Sequence, residues 1–170
     1  MTNSFLEDTV LADSLTAESN RGKSLFDRFG GRATLERVHI IFYDKLYAHP
    51  WLSSFFIGIN QKLIENQQSD FFSQLTGGPK NYSGRMPQHA HAHIFISDEL
   101  FLVRHELLKE SLIEGRVSSP ELEEWLKIDM AFKKVLSKQS PRDCQKRYVD
   151  EDVVAIPNPN PRGGVYNIVA

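Results

Sequence analysis

Apolar residues recur at helical spacing between about residues 23 and 138 and seldom outside that stretch. Phe26, Asp27, Arg28 and Phe29 form a short segment that stops at Gly30-Gly31, a glycine helix end. The next segment sets Leu35, Val38, Ile41, Phe42 and Leu46 on one face and breaks at Pro50. A third runs from about Gln61 to Thr76 and ends at Gly77-Gly78-Pro79. A fourth starts at Ser97-Asp98, a capping residue followed by an acid, and carries Phe101, Leu107, Leu108 and Leu112. The last opens at Ser119-Pro120-Glu121, with proline at the first helical position, and is expected to bury Leu122, Trp125, Leu126, Phe132 and Leu136. Several medium helices without convincing strand alternation predict an all-α domain.

Two polar residues interrupt these apolar faces. Ile64, Gln68, Phe71, Phe72 and Leu75 fall on one side of the third helix, so Gln68 sits inside an apolar stripe. A buried amide is costly unless it is hydrogen-bonded, and taken alone Gln68 reads as a core residue paired with another side chain. Tyr43 lies beside Phe42 and Leu46, where its ring can be buried while its hydroxyl needs a partner. Together the two suggest a mostly dry pocket that holds something polar.

The ends differ from the middle. Residues 1–22 are mixed and polar, with small clusters at Val10, Leu11 and Leu15. From Gln139 onward Pro141, Pro157, Pro159, Pro161, Gly163 and Gly164 predict an extended or irregular tail over 139–170. A loosely attached tail is the simpler expectation; docking through Val165, Tyr166 and Ile168 is the other. The chain thus divides into an N-terminal extension (1–22), a helical domain (23–138) and a C-terminal tail (139–170).

Composition narrows the function classes. The net charge of -2 and the lack of a basic stripe interleaved with aromatics argue against a nucleic-acid surface. No apolar run is long enough for a membrane span, and the start lacks the pattern of a secretory signal. Cys144 is the single cysteine, so an intramolecular disulfide is impossible and a cytoplasmic location is expected.

Metal chemistry enters with Gln88-His89-Ala90-His91-Ala92-His93. On an extended strand the three histidines would point the same way and could grip one ion as a non-haem metal site. In a helix or irregular turn they fan out, and one alone would face a given pocket. A solvated histidine run without a ligand is the bland alternative, and a helical interaction module is the bland reading of the whole domain.

The ordered series Phe29-Gly30-Gly31, Phe42-Tyr43, His49-Pro50-Trp51-Leu52, Phe55-Phe56, Gln67-Gln68, Phe71-Phe72, Leu75, Gly77-Gly78-Pro79 and Tyr82-Ser83-Gly84 resembles the truncated haemoglobins. The series ends with His91, five residues before Ile96 and just ahead of the Ser97-Asp98 helix start, and the match covers about Ser24 to Leu136. The resemblance implies an all-α, two-over-two helical sandwich holding haem b. It implies His91 as the ligand to the metal and Phe56, Ile64 and Phe72 as haem contacts. Tyr43 and Gln68 match the distal pair that stabilises a diatomic gas such as O2, NO or CO. His93 is the rival ligand, and His89 a solvated residue near the haem edge. An apolar Ile64 with Tyr43 and Gln68 looks closest to the group I pattern; where group II members carry a tryptophan, this chain has Arg104 or its neighbour Val103. Oxygen binding or transport, gas sensing and nitric-oxide dioxygenation all occur with such a pocket, the last needing an external reductase partner.

Overall fold

A computed structural model describes residues 22–161. Val10, Leu11 and Leu15, like Val165, Tyr166 and Ile168, lie outside the described residues. The helices are α1 (Leu25–Arg28), α2 (Gly31–Ala48), α3 (Gln61–Leu75), α4 (Pro87–Ala90), α5 (Asp98–Glu114) and α6 (Ser119–Leu136). Short 3-10 turns cover Leu52–Phe56 and Pro141–Asp143. Helix α2 packs on both α3 and α5, and α5 packs on α6, so one helix pair lies against the other as a two-over-two sandwich.

Helix boundaries follow local chemistry. Ser24 accepts a hydrogen bond from Asp27 N at 3.1 Å while Asp27 reaches back to Ser24 N, a capping box that starts α1. Ser97 Oγ accepts from Leu100 N at 3.1 Å and starts α5, as its sequence predicts. After Pro50, His49 Nδ1 accepts from the backbone N–H groups of Trp51 (3.1 Å) and Leu52 (3.2 Å), which turns the chain into the 3-10 segment. The hinge between α1 and α2 is Gly30, at φ 90°; a Cβ there would stand 2.5 Å from Thr34 Oγ1.

The core is the predicted one at its centre. Leu35, Val38 and Phe42 of α2, Phe101, Leu108 and Leu112 of α5, and Trp125 of α6 are all almost fully buried. Burying each large side chain stabilises the fold by roughly 1.5–3 kcal/mol. Phe72 stacks on Trp125 at 4.4 Å between centroids and 17° between planes, joining α3 to α6.

Three expectations need correction. Leu75 is exposed, not on the inner face of α3. The buried face carries small polar residues instead: Ser69 Oγ meets His39 of α2 at 2.8 Å, Ser73 Oγ donates to Pro79 O at 3.3 Å, and Thr76 closes the helix inward with its hydroxyl donating to Phe72 O at 2.7 Å. Leu122, Leu126, Phe132 and Leu136 are half-buried rather than buried; Phe132 and Leu136 face a cavity instead of a packed core. The tail through residue 161 is not loose: its backbone and side chains are hydrogen-bonded to the segment after α4.

Replacing Gly30 tests the hinge. Gly30→Ala forces an L-residue into the left-handed region and against Thr34, and should lower stability by about 1–3 kcal/mol in denaturant unfolding.

Candidate functional site

A cavity of about 520 Å³ opens between the two helix pairs, a size typical of pockets that enclose small-molecule cofactors, roughly 300–1,000 Å³. Its walls are largely apolar. Phe42 and Leu46 of α2, Phe55 and Phe56 of the 3-10 turn, Ile64 of α3, and Ile96, Leu100 and Phe101 at the start of α5 all face it. All six residues singled out in the sequence line it: Tyr43, Phe56, Ile64, Gln68, Phe72 and His91. Phe56 is held by aromatic neighbours, stacked on Tyr47 at 4.9 Å and edge-on to Tyr43 at 6.0 Å.

The histidines separate. His89 belongs to α4 and lines a different, outer groove with Arg85 and Lys146. His91 and His93 line the main cavity. No strand forms over residues 86–96; beyond α4 there is a turn and a single parallel bridge between Ile94 and Val154. Among the described residues, no group of three or more His, Cys, Asp or Glu side chains converges as a metal clamp.

The two cavity histidines also differ in chemistry. His91 Nδ1 lies 2.8 Å from the Pro87 carbonyl, which only accepts, so Nδ1 carries the proton and Nε2 keeps its lone pair. Burial lowers the His91 pKa, assisted by Arg104 and Lys138 and opposed by the Pro87 hydrogen bond, so the ring is neutral at pH 7. On His93 the Nε2 atom accepts from Arg147 Nη2 at 3.2 Å, leaving a buried Nδ1 without a partner. His91 therefore presents a free lone pair to the cavity; His93 has already used its own.

Two donors also line the cavity. Among the described residues, the Tyr43 hydroxyl and the Gln68 amide have no hydrogen-bond partner, although Tyr43 is only 6% exposed and Gln68 is half-buried. Gln68 is thus not a satisfied core amide. Burial raises the Tyr43 pKa far above its ordinary value, so the hydroxyl keeps its proton and remains a donor.

Sequence reasoning placed Arg104 or Val103 at a position of the family pattern but missed the ion pair that Arg104 makes at the cavity wall. Arg104 lines the cavity, and Val103 packs on the core instead. The Arg104 guanidinium lies over the rings of Phe42 (5.0 Å) and Phe101 (5.8 Å) and bonds to the carboxylate of Asp129 on α6. His105 Nδ1 meets the other carboxylate oxygen at 2.8 Å. Burial would raise the Asp129 pKa, but Arg104 and His105 hold it below the ordinary carboxylate range. The same test that flags Gln68 would have found both: Arg104 shares a face with Leu100 and Leu108, and Asp129 with Trp125 and Phe132.

Comparison with known proteins agrees with this geometry. The family model for bacterial-like globins matches residues 24–137. The chain belongs to the bacterial-like globin family. A group 1 truncated hemoglobin of Tetrahymena thermophila is 30% identical over 105 residues, 62% of this chain and 87% of that relative. One from Mycolicibacterium paratuberculosis is 38% identical over 68 residues, 40% of this chain; the match spans half the length of that relative. The hemoglobin of Chloroflexus aurantiacus superposes with a TM-score of 0.63 at 24% identity, covering 69% of this chain and 99% of the other. The fold is accordingly the truncated-globin sandwich. Globins of this family bind haem, usually haem b, and diatomic gases.

The cavity fits that group. Haem is a flat apolar disc with two carboxylates at one edge; the walls are aromatic and aliphatic, and two cations, Arg85 and Arg147, are among the lining residues. His91 supplies a neutral imidazole with a free nitrogen, the donor haem iron takes.

The buried imidazoles make stability depend on pH. His39, fully buried and sharing a hydrogen bond with Ser69 Oγ at 2.8 Å, has its pKa pushed down to about 3 by burial, then by Arg104 and Arg32. The unfolded chain takes up that proton near pH 6.5, so it binds more protons than the native state between pH 6.5 and 3. Stability is full above that window and falls as pH drops through it. Between pH 7 and 5 this one group should account for roughly 2 kcal/mol of lost stability. In paired denaturant titrations His39→Gln should show a correspondingly shallower decline; equal declines would contradict the assignment.

Proposed function

We propose that this chain binds a diatomic gas in a haem pocket in which His91 is the proximal ligand and Tyr43 and Gln68 are the distal donors. The observation that carries the reading is that one largely apolar cavity is lined by both a neutral imidazole with a free Nε2 and two unpartnered donors. When bound, haem would be held by the His91 imidazole and would supply a ferrous iron able to take up a diatomic gas. Pro87 orients the His91 ring by accepting from Nδ1. Phe56, Ile64 and Phe72 provide apolar faces that hold the disc and exclude water. Tyr43 and Gln68 offer O–H and N–H groups to a ligand that gains negative charge on binding, and so favour oxygen over carbon monoxide.

The globin unit in this reading is residues 23–138, with 1–22 and 139–170 as additions to it. A cytoplasmic setting is supported by the single cysteine, Cys144. No helix among the described residues is long and apolar enough to cross a membrane.

The distal assignment is tested by oxygen dissociation in stopped flow. A hydrogen bond to a charged acceptor contributes roughly 1.5–3 kcal/mol. Tyr43→Phe and Gln68→Leu should therefore each speed oxygen loss by about tenfold or more, since 1.4 kcal/mol is a factor of ten. Carbon monoxide dissociation should change far less. Oxygen rates equal to wild type in both variants would rule the pair out.

A further inference from the structure

The segment that carries His91 has little structure of its own. Helix α4 is four residues long, and between its end and α5 the chain makes only isolated local turns. Apart from those turns, in which Ile94 N donates to His91 O at 3.0 Å, the partners of its backbone come from beyond the family match, which ends at residue 137.

Those partners are spread over residues 138–154 and meet the carbonyls of Ala90 to Ile94 and of Ile96. The ammonium of Lys138 donates to the carbonyls of His91 (3.1 Å) and Ile94 (2.7 Å), and Lys138 N donates to Ile96 O at 2.8 Å. Gln145 N donates to Ala92 O at 2.9 Å, and Arg147 Nη1 to Ala90 O at 2.8 Å. Val154 N donates to His93 O at 2.9 Å, and Val154 O accepts from Phe95 N at 2.8 Å. Farther along, the strap is fastened at its end: Trp51 Nε1 donates to Ile156 O at 2.9 Å and Asn158 Nδ2 to Glu99 at 2.7 Å.

This is a different arrangement from a tail resting on a surface. Carbonyls withdrawn from water need donors, and for the half-buried residues Ala90, Ala92 and His93 these come from the tail alone among the described residues. Lys138 reaches the His91 carbonyl itself, one residue's backbone from the imidazole. Arg147 and Val154 also line the cavity, so the tail forms part of its wall.

We propose that residues 138–158 are a proximal strap, with Lys138 and Val154 as positioning residues that fix the His91 imidazole toward the haem iron. The inference rests on the reading of His91 as the ligand. Without the strap, the segment 90–96 would keep its sequence but lose the donors that hold its path, and the imidazole would sample several orientations.

The full-length, haem-loaded protein tests this with three substitutions: Lys138→Met, Val154→Pro, which removes the N–H that donates to His93 O and fixes φ at that position, and Lys138→Arg. Two readouts follow, haem transfer to an excess of a haem-free acceptor protein and the iron–histidine stretching band of the ferrous form. Lys138→Met and Val154→Pro should each speed haem loss by about tenfold, equivalent to roughly 1.4 kcal/mol, and shift or broaden the band. Lys138→Arg, which keeps a cationic donor, should stay near wild type in both. Haem-loss rates and bands unchanged in the first two variants, even with lowered melting temperatures, would overturn the strap as a positioning device. A band that is unaltered in His91→Gly would overturn the ligand reading on which it stands, and is distinguishable because it does not involve the strap variants.

Discussion

The hydrogen bond from His91 Nδ1 to the Pro87 carbonyl fixes more of this site than its 2.8 Å suggests. A carbonyl can only accept, so the bond selects the tautomer, turns the Nε2 lone pair to the cavity and sets the ring's plane. Burial then keeps the ring neutral by disfavouring the imidazolium. A metal ligand needs both properties at once. His93, two residues away, spends its Nε2 on Arg147 and is excluded by the same accounting of lone pairs.

Much of the remaining structure can be understood as support for that ring and for the space in front of it. α4 is too short to hold a side chain rigidly, and the carbonyls that follow it are satisfied by the segment beginning at Lys138. On the far side, Trp125, Phe72 and Phe29 form a stacked aromatic block that braces α3 and α6 around the cavity. Within the cavity, Arg104 places a cation on an otherwise apolar wall, its charge opposed by Asp129 and its flat faces covered by phenylalanine rings. Removing Asp129 alone would leave that cation uncompensated; ion pairs of this kind cost more to break than they contribute when formed.

The helices were legible because their signals are local. Capping at Ser97, proline in the first turn of α6 and the apolar stripe of α2 each act within a few residues. So was the pocket, through Tyr43 and Gln68, which occupy positions where a closed core would be apolar. What escaped were features that need two distant segments. Arg104 has no visible counter-charge until Asp129 is placed against it, 25 residues on. Leu75 reads as core until Ser69 and Ser73 turn out to lie on the buried face. The tail reads as loose because prolines suppress regular structure, yet its donors pair with carbonyls more than 40 residues earlier in the chain. The histidine run illustrates both limits: spacing from α5 favours His91, while the hydrogen bonds that distinguish it from His93 involve Pro87 and Arg147.

Titration of the chain with hemin, followed by the Soret absorption, addresses the central assignment most directly. The wild-type chain should saturate at one equivalent with a spectrum of imidazole ligation. His91→Gly should lose that spectrum and regain it when free imidazole is added, whereas His93→Gly should titrate like wild type. Normal ligation in His91→Gly without added imidazole, with loss of it in His93→Gly, would contradict the account.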